Sequence, residues 1–146
     1  MTFKFIKLRK CSIFFRLFSW IVKYSCINGE VKFQVAIVPC GITVNLKDEE
    51  RSGLYAACEE YEKELVAAGV RVKGDYRENY SPGWKFNHWE LKGVPLRVEV
   101  GPRDVKSGQF VAVRRDTGEK VTLNKADCVK DIKKLLDDVQ ASLFAR

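Results

Sequence analysis

The chain has 146 residues, 46% of them apolar and 31% charged, which is enough for one domain with one core and too little for two ordinary domains. This composition excludes a collagen-like, low-complexity or disulfide-scaffold chain. The net charge of +7 is unevenly placed: residues 1–29 hold six Lys or Arg and no acid, whereas 30–146 set 20 bases against 19 acids.

Residues 1–30 also hold seven of the 17 aromatics, among them Phe14, Phe15, Phe18 and Trp20. A secretory signal fits the early bases and the apolar stretch, but Arg16 interrupts that stretch and Tyr24-Ser25-Cys26 is a poor cleavage site. A basic, acid-free mitochondrial leader fits about as well. A membrane span needs about 20 apolar residues, more than the segment offers. Residues 1–30 are therefore expected to form an irregular extension, and 31–146 the domain.

After Val31 and Phe33, the apolar run Val35 to Pro39 reads as a buried strand, and Pro39, Gly41 and Asn45 mark a loop. Residues 48–68 read as a helix with Leu54, Cys58, Tyr61 and Leu65 on one stripe, acids in the first turn and Gly69 at the end. A short strand follows at 70–73. Ser81-Pro82-Gly83 opens a second helix, which Gly93 and Pro95 end. Leu96, Val98 and Val100 alternate with Arg97 and Glu99, placing the two charged residues on the opposite face of a third strand. Residues 110–113 and 120–123 form a hairpin around Asp116-Thr117-Gly118. Asn124 is placed to cap a last helix, with Val129, Ile132, Leu136, Val139 and Leu143 on its core face.

Strand–helix alternation followed by a hairpin and a helix predicts an α/β fold, a mixed five-stranded sheet with three helices. Ligands of such sheets sit beyond the carboxyl ends of the strands, where the loop Gly101-Pro102-Arg103-Asp104 falls.

The five cysteines, at 11, 26, 40, 58 and 128, show no zinc or redox spacing and read as reduced thiols of a cytoplasmic protein. No nucleophile elbow, phosphate-binding glycine loop or dinucleotide fingerprint is present. His88, the single histidine, lies on a helix near Trp84 and reads as a packing residue. Residues 71–120 carry eleven bases and seven acids, so a polyanion would dock there. Within that segment Phe86 and Glu90 share a helix face, Lys85 and Lys92 flank it, Arg97 lies on the next strand, and Arg103 and Asp104 lie beyond its end. Unpaired RNA bases stack on aromatics, arginine donates to guanine O6 and N7, and a carboxylate accepts base N–H groups. The same residues would also serve as core aromatics and surface ion pairs, and spacing alone leaves both readings open.

The run Asn79-Tyr80-Ser81-Pro82-Gly83-Trp84-Lys85-Phe86-Asn87-His88-Trp89-Glu90-Leu91-Lys92-Gly93-Val94-Pro95, continued by Arg97 to Asp104, resembles the anticodon-binding domain of prolyl-tRNA synthetases of the eukaryotic and archaeal type. Similarity extends back to Val35-Ala36-Ile37-Val38-Pro39-Cys40-Gly41-Ile42 and forward through the hairpin, and is most like the prolyl part of bifunctional glutamate/proline-tRNA ligases. The resemblance implies a class IIa synthetase module that binds the anticodon of tRNA-Pro. It places base reading on Phe86, Glu90, Arg97, Arg103 and Asp104, and Lys85 and Lys92 are expected on phosphates. It also implies that the catalytic motifs using ATP and proline, and a zinc-binding domain, lie outside this sequence. The chain alone is thus expected to hold no cofactor and to ligate nothing, with other synthetases of a multi-synthetase complex as further partners. The alternative is a protein-interaction module on the same fold. Cytoplasmic location is expected, or mitochondrial if 1–29 is a leader.

Overall fold

The computed structural model describes residues 33–43 and 45–145. The expected extension 1–30 lies outside the described residues, as does the side chain of Leu143. The elements are β1 (Val35–Pro39), α1 (Asp48–Ala67), β2 (Val72–Gly74), α2 (Pro82–Leu91), β3 (Leu96–Val100), α3 (Pro102–Ser107), β4 (Gln109–Arg114), β5 (Lys120–Asn124), a 3-10 turn (Lys125–Asp127) and α4 (Cys128–Phe144). The five strands run in the order β2-β1-β3-β4-β5. β1 is parallel to both neighbours, with Ile37 opposite Gly74 on one side and Val98 on the other. β3, β4 and β5 are antiparallel, Arg97 facing Val113 and Val111 facing Thr122. The mixed five-stranded sheet expected from the sequence is the one observed.

All five residues of β1 are buried because the strand is covered on both faces. Val35 and Ile37, with Leu96, Val98 and Val100 of β3, meet the α1 stripe Leu54, Cys58, Tyr61 and Leu65; Phe110 and Ala112 of β4 and Cys128 and Ile132 of α4 complete this core. Ala36 and Val38 are equally buried but point to the other face, on which α2 packs. α1 and α2 therefore lie on opposite sides of the sheet. Beside α2, that second face carries Arg97, Glu99, Val111, Val113, Lys120 and Thr122 in register across β3, β4 and β5.

Three expectations need correction. The chain forms four α-helices among the described residues, not three, because Pro102 to Ser107 coil where a loop was expected. Pro102 takes the first helical position, Asp104 Oδ2 accepts from the Gly101 N–H at 2.9 Å, and Gly108 ends the helix at φ 65°. Six residues are too few to show a hydrophobic period, so only these terminal signals mark it. β2 starts at Val72, two residues late, since Val70 still closes the α1 turn by donating to Leu65 O at 2.9 Å. Asn124 makes no side-chain cap: it precedes the 3-10 turn, and α4 starts at Cys128.

Candidate nucleic-acid interface

Ser81 Oγ accepts from the Trp84 N–H at 3.3 Å and Pro82 occupies the first turn, so the start of α2 is fixed locally. The helix then turns three different faces outward and inward. Lys85 and Trp89 point into the sheet, 3% and 8% exposed. Phe86 and Glu90, four apart, reach toward Arg97 of β3. There the Arg97 guanidinium carbon lies 4.1 Å from the Phe86 ring centre. Arg97 Nη1 donates to Glu90 Oε1 at 2.6 Å, and its Nε donates to Glu99 Oε1 at 3.0 Å. Lys120 Nζ stands 3.5 Å from Glu99 Oε2. Trp89, Val94 and Val113 form the floor of a shallow cleft beside this cluster, and Arg115 closes its end by donating through Nε to Glu90 O at 3.1 Å.

The Arg97 side chain is 11% exposed and that of Glu90 50% exposed. The Arg97–Glu90 pair is thus wet on its carboxylate side and exchangeable, whereas Glu99, at 15%, holds the guanidinium in place from beneath. An exchangeable donor and acceptor side by side, against an aromatic ring, is the arrangement that a guanine edge needs. Glu99 was outside the expected site, although its two-residue spacing from Arg97 on one strand face was the signal for it.

Arg103 is exposed on α3, and among the described residues its guanidinium has no ion-pair partner. Asp104 spends Oδ2 on the Gly101 N–H, leaving Oδ1 to accept from elsewhere. The structure thus brings Phe86, Glu90 and Arg97 into one cluster and sets Arg103 and Asp104 on the short helix past the end of β3, an end that lies about 10 Å along the strand from Arg97 at 3.3 Å per residue.

Lys85 does not fit a phosphate contact. One residue before Phe86 turns the side chain about 100° round the helix, into the protein. Its Nζ donates to Asp75 O at 3.1 Å, and burial pushes its pKa down. Lys92 is half-buried, its Nζ 5.8 Å from the Trp89 ring centre. His88 packs as expected, stacked on Trp84 at 4.9 Å and edge-on to Trp89 at 5.3 Å. Burial pushes its pKa down, and Arg77 and Lys92 add to that. Cys40, Cys58 and Cys128 are free thiols; burial raises them to about 11, about 12 and about 12, which keeps them protonated and unreactive at neutral pH.

The family model described as the anticodon binding domain matches residues 34–135. The chain belongs to the anticodon-binding domain family. This anticodon-binding domain is 59% identical over 113 residues to the bifunctional glutamate/proline–tRNA ligase of Mus musculus, covering 77% of the chain and 8% of that protein. It is 64% identical over 111 residues to the bifunctional ligase of Drosophila melanogaster, covering 76% of the chain and 6% of that protein. It is 46% identical over 113 residues to the proline–tRNA ligase of Pyrococcus abyssi, covering 77% of the chain and 22% of that protein. The likeness to proline–tRNA ligases read from the sequence is borne out, and the chain spans only a small part of the length of these relatives. Among the described residues no helix is long and apolar enough to cross a membrane.

Proposed function

We propose that the domain binds the anticodon of tRNA-Pro as the non-catalytic, specificity-reading part of a proline–tRNA ligase. The observation that carries this is the Phe86–Arg97–Glu90 cluster: a ring, a guanidinium and an exposed carboxylate held together at one face of the sheet, in a member of the anticodon-binding family. Phe86 offers a stacking surface. Arg97 donates to guanine O6 and N7 once Glu90 swings to the base N1 and N2 hydrogens. Arg103 and Asp104 serve a neighbouring base, and Lys92 a phosphate. ATP and proline are handled by a catalytic domain elsewhere in the whole protein, which works in the cytoplasm alongside other synthetases.

Binding to tRNA-Pro and to an anticodon-swapped tRNA, each at two salt concentrations, tests the reading. Arg97→Lys keeps the charge and loses the fork; it is expected to weaken cognate binding by about 1–3 kcal/mol and to leave swapped binding unchanged. Lys92→Met is expected to weaken both tRNAs alike and lower the salt slope by about one. Equal affinity of the unaltered domain for both tRNAs would remove base reading from this site.

A further inference from the structure

The carboxyl ends of β1 and β2 leave the sheet toward helices on opposite faces, β1 into α1 and β2 into α2. Adjacent parallel strands that part in this way open a crevice between them, the place where ligands enter open α/β sheets. Here that crevice is a solvent-open hollow of about 450 Å³, within the size range of small-molecule sites. It lies on the α1 and loop side of α2, away from the Phe86–Arg97 cleft, and shares no lining residue with it.

Two features of the hollow point to a ligand. Arg51 Nε is enclosed and among the described residues meets no acceptor. Arg51 as a whole is half-buried and lines the hollow, so an anionic oxygen entering there can be met by its guanidinium. The second feature is an aromatic ladder that ends in the hollow. Tyr80 stacks on Trp84 with ring centres 3.9 Å apart and planes 14° from parallel, and Trp84 stacks on His88. Tyr80 and Trp84 are each 41% exposed. The Arg77 guanidinium carbon is 5.0 Å from the Tyr80 ring centre and 5.2 Å from that of Trp84. Near-equal distances from two stacked rings put the cation at the side of the pair, so it leaves the outer face of Tyr80 uncovered. Asp75 fixes Arg77 there through both carboxylate oxygens, at 2.8 and 2.6 Å. Glu78, the carboxylate in the lining, accepts from the Tyr55 hydroxyl at 3.2 Å.

We propose that this crevice takes one unstacked nucleotide of the bound RNA, its base extending the Tyr80–Trp84–His88 ladder and its phosphate meeting Arg51 and Arg77. The inference rests on the RNA-binding reading above and adds a second contact to it. Stacking accepts any base, so the crevice contributes affinity without choosing sequence, in contrast to Arg97.

The test measures the full chain and its Tyr80→Ala, Tyr80→Phe, Arg51→Gln and Arg97→Lys variants against tRNA-Pro and the anticodon-swapped tRNA, with thermal melting as a check of folding. Tyr80→Ala is expected to weaken both tRNAs by the same factor, about tenfold, and Tyr80→Phe to keep wild-type affinity. Arg51→Gln is expected to weaken both and lower the salt slope by about one unit. If Tyr80→Ala melts early, Arg51→Gln decides. If Tyr80→Ala and Arg51→Gln bind both tRNAs like wild type while Arg97→Lys loses discrimination, anticodon reading stands and the crevice contact is overturned, leaving the ladder to a protein partner. Equal loss in Tyr80→Phe and Tyr80→Ala overturns the stacking role. If the unaltered chain binds neither tRNA, the RNA-binding reading itself fails and this inference falls with it.

Discussion

Asp75 is 3% exposed, and its oxygens accept from Arg77 Nε, Arg77 Nη2 and, at 2.9 Å, Trp89 Nε1. Burial alone raises such a carboxyl, but the bonds from Arg77 and Trp89 outweigh it and bring the pKa from 3.8 down to about 2. A depressed folded-state value means stability that is present above the unfolded value and lost as pH falls through the folded one. About 2 kcal/mol should therefore disappear between pH 4 and pH 2. Asp75→Asn is expected to flatten that acid limb in denaturant melts taken from pH 6 to pH 2. At neutral pH it should cost about 2–3 kcal/mol, because the Arg77 charge loses its partner and the asparagine amide cannot accept all of the bonds from Arg77 and Trp89. An unchanged acid limb would assign the acid sensitivity to other carboxylates, of which Asp116, held well below the ordinary range by the bond from Arg114 against some burial, is the first candidate.

At the scale of elements, α3 depends on a contact made far away in sequence. Gly41 has φ +72°, and a Cβ built there would come 3.1 Å from Pro102 Cδ. Gly41→Ala therefore meets backbone strain and pushes on the first turn of α3, the helix that carries Arg103. The expected cost is about 1–2 kcal/mol, or a Tm lower by about 4–8 °C. Cognate tRNA binding should weaken while the Phe86–Arg97 cluster stays intact. A melting curve and an affinity both equal to wild type would show that the loop gives way without moving α3. The same elements show what was legible in sequence. β1 and β3 were readable because one is apolar throughout and the other alternates. The Phe86–Glu90–Arg97 cluster was readable because helical spacing and strand alternation each fix a direction. α3 left no period to read. Lys85 misled because a lysine beside a functional phenylalanine looks solvated until the sheet beneath it is placed. The Tyr80–Trp84–His88 ladder has a spacing of four throughout, but whether such rings face water or core depends on which side of the sheet the helix occupies, and no local pattern encodes that.

At the scale of the whole molecule, the first strand among the described residues lies inside the sheet, between the two strands that follow it. β1 pairs with β2 over three residues and with β3 over five. A fragment of residues 33–93 keeps α1, β2 and α2 but lacks the longer pairing and the β3–β4 half of the core. It is expected to show no cooperative thermal transition by circular dichroism, whereas 33–146 melts in one step; a cooperative melt of the fragment would place an independent folding unit in the first half. This strand order also has a consequence in time. Leu96 lies 57 residues after Pro39, so at about 5–20 residues per second a ribosome takes several seconds to deliver the partner that β1 requires. For that interval the five consecutive apolar residues of β1 keep at least the edge meant for β3 unpaired, β2 offering only three residues to the other edge. The nascent chain is then at its stickiest, and chaperones that hold short apolar segments have their natural window before β3 arrives.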